Sequence, residues 1–246
     1  MFPFCFTKCG VFELMQRLFA GRTFRPLLFL SILIVTGIPE LFSGDAYEST
    51  FRIGRLEYRG GGDWYVGPSA ETNLLDYVRR HTNIPVEPVY ESVSIMSDRL
   101  FSYSMIFMTG HGNVSFNDQE RQRLREYFRR GGFLYADDCY GMDGAFRREM
   151  AKLFPGQELV EIPFSHPIYN IKYAFPNGPP KIHEHDGKPP QGFGLFLDGR
   201  LVVYYTYEAD PHDGWVDERV HGNPWHVREM ALQFGTNIVL WLLTKS

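Results

Sequence analysis

The chain has 246 residues, of which 44% are hydrophobic and 22% are charged, and its formal net charge is −4. This composition is typical of a globular protein with one large domain or two small ones. The sequence contains no basic run, so we expect no nucleic-acid partner, because phosphate binding needs a concentrated face of Lys and Arg.

Residues 1–46 have the order of features found in a targeting segment. Arginines precede an apolar stretch at residues 27–38, and Gly44 and Ala46 supply the small residues that signal peptidase reads. The apolar stretch is shorter than the roughly 20 residues that span a bilayer. We therefore expect a cleaved secretory signal, with a retained membrane anchor or a buried helix as alternatives. Residues 47–246 form the predicted single domain, exported to the periplasm or anchored in the membrane and facing it.

The predicted domain begins with a strand at residues 51–58. The loop that follows contains Gly60-Gly61-Gly62-Asp63-Trp64, and its glycines permit backbone conformations that are closed to other residues. Residues 68–81 form a predicted helix, which we expect to bury His81 and to leave Tyr77 partly exposed.

Between residues 103 and 136 the pattern predicts one strand–helix–strand unit. Residues 103–109 form a continuous apolar run, which is typical of a parallel strand buried on both faces. Asn117 and Glu120 have the spacing of a helix cap, and Gly131 is a natural helix terminator. Residues 133–136 form the next strand, so the unit implies parallel strands joined by a right-handed crossover.

Unusual loops follow the carboxyl ends of these strands. Gly110-His111-Gly112 follows the first strand of the unit, and Asp137-Asp138 directly follows the second. The carboxyl ends of parallel strands lie at one edge of a sheet, where ligands bind. We therefore expect these segments to converge on one cleft, together with the loop at residues 60–64 if its strand is also parallel.

The rest of the chain alternates between regular elements and long loops. The predicted elements are a helix starting at Asp143, a strand at residues 159–162, a hairpin turned at Asp198-Gly199 and a final helix at about residues 225–243. The loop at residues 176–192 contains His183 and His185, and the loop at residues 208–223 contains Asp213-Gly214-Trp215. Loops of this length in a compact domain are usually functional.

Several short motifs, taken in order, resemble the bacterial family named domain of unknown function 4159. They are Arg55-Leu56-Glu57-Tyr58 leading to Gly60-Gly61-Gly62-Asp63-Trp64-Tyr65, Gly110-His111-Gly112, Gly131-Gly132-Phe133-Leu134 with Asp137-Asp138, Ser165-His166-Pro167-Ile168, Gly199-Arg200-Leu201-Val202-Val203, Asp213-Gly214-Trp215 and Gly235-Thr236-Asn237-Ile238. That family is similar to the class I glutamine amidotransferase-like superfamily. The resemblance implies a flavodoxin-like α/β fold, which is a three-layer sandwich with a mostly parallel central sheet, here with a C-terminal β-hairpin and long loops.

The resemblance also implies a nucleophilic cysteine at a strand-to-helix turn, in a Gly-x-Cys-x-Gly elbow. Here the matching turn reads Ala136-Asp137-Asp138-Cys139-Tyr140-Gly141, so carboxylates stand at or near the elbow position. Cys139 is displaced, lacks the preceding glycine, and has acidic neighbours that raise the pKa of a thiol by charge repulsion. This departure argues against glutamine hydrolysis by Cys139.

The residues expected to bind a ligand lie in the loops at the carboxyl edge. They are Gly61, Gly62, Asp63, Trp64, Gly110, His111, Gly112, Asp137, Asp138, His166, Asp213 and Trp215. Either tryptophan is expected to stack on a sugar ring or to anchor its loop in the core. If the protein is an enzyme, Asp137, Asp138 and His111 are the catalytic candidates.

No cofactor is certain from the sequence. A divalent metal bound by Asp137 or Asp138, with His111, His166 or a loop histidine, is one alternative, because carboxylate and imidazole together suit Zn, Mn or Fe. The spacing of His183 and His185 would allow chelation, but their Pro-rich surroundings favour a solvated loop.

Two functional hypotheses follow from these patterns. The first is a non-catalytic module that binds a polar small molecule or a protein partner at an acidic carboxyl edge. The second is a hydrolase of carbohydrate or amide substrates that uses Asp137 or Asp138, with or without a metal. Contact with a membrane is expected only through an uncleaved N-terminal segment.

Overall fold

The computed structural model describes residues 50–245, within which seven strands form one mixed sheet. The strands are β1 (Ile53–Glu57), β2 (Glu91–Ser94), β3 (Met105–His111), β4 (Phe133–Tyr140), β5 (Val160–Glu161), β6 (Gln191–Leu197) and β7 (Arg200–Tyr207). Their order across the sheet is β2-β1-β3-β4-β7-β6-β5. The first five strands in this order are parallel, and β6 runs antiparallel to both of its neighbours.

Helices lie between the strands and follow the last strand. They are α1 (Ala70–His81), α2 (Asp118–Arg129), α3 (Asp143–Leu153), α4 (Pro211–Trp215), α5 (Glu218–His221) and α6 (Trp225–Lys245). Short 3₁₀ helices occur at Asp98–Ser102 and Pro167–Tyr169. Within residues 50–245, no helix combines the length and the apolar character needed to cross a membrane. The predicted targeting segment lies outside the described residues.

The strands contribute alternate side chains to two separate hydrophobic clusters. Phe107 belongs to a cluster that includes residues of α1 and α6, whereas the next residue, Met108, belongs to a cluster with residues of α2 and α3. Successive side chains of a strand point to opposite faces, so this division follows from the strand geometry. It explains the continuous apolar run in β3, which is buried on both faces.

The predicted helix cap at Asn117 is confirmed. The Asn117 side chain accepts a hydrogen bond from the Glu120 N–H at 2.8 Å, and the Glu120 carboxylate accepts one from the Asn117 N–H at 2.8 Å. The helix ends at Arg129, and Gly131 adopts a φ of 101°, a backbone conformation that favours glycine. Local sequence therefore sets both ends of α2.

Three predictions about individual elements were wrong. β3 does not end at Thr109 but continues through Gly110 to His111, both of which pair with β4. β4 does not end at Ala136 but continues to Tyr140, because Asp137 and Asp138 keep their pairing with Thr109 and Gly110 of β3. In α1, Tyr77 is buried and His81 is exposed, which reverses the prediction.

Candidate functional site

The two neighbouring carboxylates of β4 point in different directions. Asp137 is fully buried, and its oxygens accept hydrogen bonds from the Thr206 hydroxyl at 2.5 Å and from the His212 N–H at 3.0 Å. Burial raises the pKa of Asp137 well above its usual range, although these two hydrogen bonds oppose the shift. The Asp137 side chain therefore links β4 to β7 and to α4 by hydrogen bonds, and it does not face solvent.

Asp138 faces a cavity at the carboxyl edge of the sheet. Its carboxylate accepts a hydrogen bond from the Met142 N–H at 2.8 Å, and burial raises its pKa to about 6. The cavity has a volume of about 240 Å³ and is lined by Asp138, Tyr140, Gly141, Asp143, Gly144, His185, Asp186, Tyr207 and Glu208. The Tyr140 ring is stacked on the His185 ring at 4.9 Å, and Tyr140 is 52% exposed.

A second group of polar side chains surrounds Asp213 in α4. The Asp213 carboxylate lies 2.8 Å from His183 Nδ1, 3.2 Å from His212 Nδ1 and 3.3 Å from His221 Nε2. Burial alone would raise the pKa of Asp213, but the contacts and charges of these histidines outweigh it and lower the pKa to about 2. We call these four residues the Asp213 cluster.

His212 of the cluster and Asp210 beside it have unsatisfied polar atoms. His212 is 2% exposed, and neither of its ring nitrogens has a hydrogen-bond partner within the described part of the chain, since the Asp213 contact lacks hydrogen-bonding geometry. Asp210 is fully buried with one oxygen unpartnered, and its other oxygen contacts His185. Burial raises the pKa of Asp210, and repulsion from Asp137 and Asp213 raises it further.

Cys139 lies beside the same carboxylates. Its Sγ is 3.8 Å from Asp213 Oδ1, and it is the extra residue where the register between β3 and β4 shifts. Burial raises the pKa of the thiol well above its usual range, and Asp213 and Asp210 raise it further. The thiol is therefore protonated at neutral pH, which is unfavourable for a cysteine nucleophile because the thiolate is the reactive form.

The loop after β1 contacts the carboxyl end of β3. Asp63 accepts a hydrogen bond from the His111 N–H at 2.5 Å, and its carboxylate lies 3.0 Å from His111 Nδ1. A Cβ at Gly110 would lie 2.3 Å from the Tyr58 hydroxyl, and one at Gly62 would lie 2.8 Å from the His111 carbonyl oxygen. These glycines therefore allow the loop after β1 to lie close to the end of β3. Gly61 and Gly112 have open space around their Cα atoms and positive φ angles.

The other predicted site residues lie away from the cavity. Trp215 is fully buried, and its indole N–H donates to the Ala231 carbonyl at 2.8 Å, so it anchors α4 in the core. Trp64 is partly buried against the hydrophobic cluster that contains Met108.

His166 lies at the opposite, amino edge of the sheet. Its ring is 5.6 Å from Trp241, which is in turn 5.7 Å from Phe133, the first residue of β4. Asp137 follows Phe133 by four residues, or about 13 Å of strand. The structure thus brings Asp137, Asp138 and Asp213 together, and it does not bring His166 to them.

Sequence reasoning gave too little weight to the histidines of the two long loops. His183 and His185 lie close to Asp213 and Asp210, and His212 and His221 come from the short helices α4 and α5. The spacing of His183 and His185, two positions apart, was the feature of the sequence that could have indicated a shared site. The contacts of His185 with Asp210 and of His183 with Asp213 join residues 25 and 30 positions apart, and no local sequence pattern marks such contacts.

Comparison with known proteins gives one family. The family model described as domain of unknown function, DUF4159, matches residues 52–243, which is most of the chain and includes both the cavity and the Asp213 cluster. No curated protein matches the chain. The chain therefore belongs to the DUF4159 family.

Proposed function

We propose that this domain is a non-catalytic module that binds a small polar ligand in the cavity beside Asp138. The observation that carries the proposal is the composition of the cavity wall, which presents four carboxylates and two tyrosines. Ligand sites typically combine an apolar or aromatic surface with a few converging polar groups. The open face of Tyr140 supplies such a surface, because a tyrosine ring offers an apolar face with a polar tip.

The cavity wall favours a ligand that supplies hydrogen-bond donors. Neighbouring cations partly balance the carboxylates, since Arg147 lies 2.7 Å from Asp143 and Lys181 lies 3.4 Å from Glu208. The remaining oxygens accept hydrogen bonds, and ionised carboxylates have no donor. Hydroxyl groups of a sugar and the ammonium group of an amine both meet this requirement, whereas an anion would be repelled.

The geometry of the predicted catalytic residues supports a non-catalytic role. Asp137 is fully buried with both oxygens accepting hydrogen bonds, and His111 contacts Asp63. A general base must reach its proton directly or through one water.

A hydrolase that uses Asp138 is the second candidate. One observation favours it, namely that burial raises the pKa of Asp138 to about 6, which is close to the range of a general acid or base at neutral pH. Screening nitrophenyl glycosides and amides separates the two functions. Turnover that is lost in Asp138→Asn would favour the hydrolase, and absence of turnover with retained ligand binding would favour the binding module.

We also propose placement in the class I glutamine amidotransferase-like superfamily, with a flavodoxin-like three-layer sandwich. The parallel strand order β2-β1-β3-β4-β7 supports this, because it corresponds to the 2-1-3-4-5 order of flavodoxin-like folds. The pair β6 and β5 would then be an extension of that sheet. Superposition of a crystal structure on members of the superfamily tests this placement.

Ligand binding is tested by calorimetric titration of the full chain with glucose, putrescine and succinate. We expect glucose or putrescine to bind and succinate not to bind. Replacing Tyr140 by alanine should weaken the interaction about fivefold, since an aromatic contact contributes about 1 kcal/mol. Tyr65→Ala, which removes another exposed tyrosine, is the matched control and should bind as the wild type does. Binding of succinate alone, or equal affinity of Tyr140→Ala and wild type, would contradict the proposal.

We propose that the domain is exported and that residues 1–46 are removed. The small residues Gly44 and Ala46 support cleavage before Tyr47. N-terminal sequencing of the protein recovered from a bacterial periplasm should begin at Tyr47. An intact N-terminus in the membrane fraction would show a retained anchor, and an intact N-terminus in the cytosol would contradict export.

A further inference from the structure

We propose that the Asp213 cluster is a binding site for one transition-metal ion of the zinc class, with His183, Asp213 and His221 as its ligands. This inference goes beyond the proposed function, because these three residues are not part of the cavity wall. Two imidazoles and one carboxylate form a ligand set that suits Zn²⁺ and related divalent ions.

The distances between the ligand atoms fit a single ion. The nitrogens of His183 and His221 lie 2.8 Å and 3.3 Å from the two oxygens of Asp213, and the three ligand atoms lie within 4.8 Å of one another. Ligands about 2.0–2.2 Å from a tetrahedral zinc ion are separated by roughly 3.3 Å. A small adjustment of the two histidine rings, which lie 5.0 Å apart, would therefore complete the site.

An independent observation comes from His212. This imidazole is 2% exposed, and both of its nitrogens lack hydrogen-bond partners among residues 50–245. One nitrogen faces Gly67, where an added Cβ would lie 2.6 Å from Nε2, and the other lies 3.2 Å from Asp213. A buried polar group without a hydrogen-bond partner is costly, and the 3.2 Å contact places the unpartnered Nδ1 of His212 directly beside one of the proposed ligands.

A second group of potential ligands shares Asp213. Cys139 Sγ, His212 and Asp213 offer ligand atoms that lie within 4.8 Å of one another. The Asp213 carboxylate is itself buried, and buried charges in proteins are usually paired or coordinate metals. Cys139 would become a thiolate only on binding an ion, because a coordinated thiol loses its proton.

The surroundings orient the proposed ligands. Asn223 contacts His183 Nε2 at 3.3 Å and donates a hydrogen bond to the Asp213 carbonyl at 3.2 Å. Contacts of this kind fix the ring orientation of metal-binding histidines. His183 and His221 are 28% and 33% exposed, so an ion can enter from solvent. Three ligands also leave a coordination position open, as in catalytic zinc sites.

The test is titration of the metal-free full chain with ZnCl₂, followed by calorimetry and by metal analysis after dialysis. We expect one zinc ion per chain, and we expect His183→Ala and His221→Ala each to weaken binding by at least tenfold. Both side chains are partly exposed, so these variants should fold, which circular dichroism verifies. His226→Ala removes an exposed histidine of α6 and is the matched control.

Two results would overturn the inference. One is the absence of saturable zinc binding by the wild type. The other is zinc affinity in folded His183→Ala and His221→Ala that equals the affinity of His226→Ala. Titration with Co²⁺ gives a second readout, because the visible spectrum of a bound cobalt ion should change in His221→Ala and remain unchanged in His226→Ala.

Discussion

Replacing Glu71 by glutamine is expected to destabilise the domain by about 3–5 kcal/mol, because it leaves the buried guanidinium of Arg55 without its counter-charge. The two side chains are 0% and 1% exposed. Arg55 donates from Nε and Nη2 to the two oxygens of Glu71, at 2.5 Å and 2.7 Å. This paired geometry is the strongest form of a carboxylate–guanidinium contact.

Arg55 also fixes the loop that leads from β1 to α1. Its Nη1 donates to the carbonyl oxygens of Trp64 and Val66 at 2.8 Å and 2.7 Å. The next residue, Gly67, lies against the His212 ring, where an added Cβ would be 2.6 Å from Nε2. A shift of this loop would therefore disturb the Asp213 cluster. We therefore expect Glu71→Gln to loosen this region as well as to lower the free energy of unfolding.

Urea denaturation measures the effect on stability. Asp76→Asn is the control, because Asp76 forms ion pairs with Arg79 and Arg80, which are largely exposed, and such pairs contribute about 0–1 kcal/mol. The double variant Arg55→Met, Glu71→Met should lose less stability than Glu71→Gln, since it leaves no unpaired buried charge. A loss below 1 kcal/mol in Glu71→Gln would contradict this interpretation of the pair.

Replacing Asp138 by asparagine is expected to raise the free energy of unfolding at neutral pH, whereas Glu71→Gln lowers it. Burial raises the pKa of Asp138 from the ordinary value of 3.8 to about 6, so the folded state binds the proton more tightly than the unfolded state does. Stability contributed by this group is present below about pH 4 and is lost as the pH rises to about 6. A shift of about two units corresponds to about 3 kcal/mol, which is the largest gain that we expect.

Asparagine can keep the structural contact of Asp138, because its amide oxygen can accept the hydrogen bond from the Met142 N–H. The gain measured by urea denaturation should shrink as the pH falls from 7 towards 4. Asp118→Asn, at a fully solvent-exposed position, should show no such dependence. A variant that is less stable than the wild type at pH 7 would contradict the assignment. Because the ionised Asp138 carboxylate lowers the stability of the domain at neutral pH, we expect it to have a role in the ligand site.

Local patterns predicted much of the fold. The cap at Asn117 and the turn at Asp198-Gly199 are set by neighbouring residues, and each lies where the sequence predicted it. The apolar run of β3 is a buried parallel strand as predicted, but the strand continues through Gly110 and His111, which the sequence assigned to a loop. The end of β4 could not be predicted, because Asp137 and Asp138 look like turn residues. Their place in an extended strand depends on partners such as Thr206 and Met142, which are not adjacent in the sequence.

The candidate site was predicted in position but not in composition. The carboxyl edge of the parallel strands does bring Asp138 and Asp213 into one region, as strand topology requires. The histidines of the Asp213 cluster come from two loops whose sequences resemble solvated segments, so no local pattern reveals their meeting. For Trp215 the sequence left ligand stacking and core anchoring open, and the structure has the buried side chain anchoring α4 in the core.

An NMR titration tests most directly whether the carboxyl edge of the sheet holds the ligand site. Amide shifts of the full chain are followed while glucose and putrescine are added in separate titrations. We predict saturable shifts that are largest at Gly141, Gly144 and Asp186, which line the cavity beside Asp138. The absence of saturable shifts with both probes, or largest shifts at Gly131 and Gly199 beside the cavities at the amino edge, would contradict this location of the site.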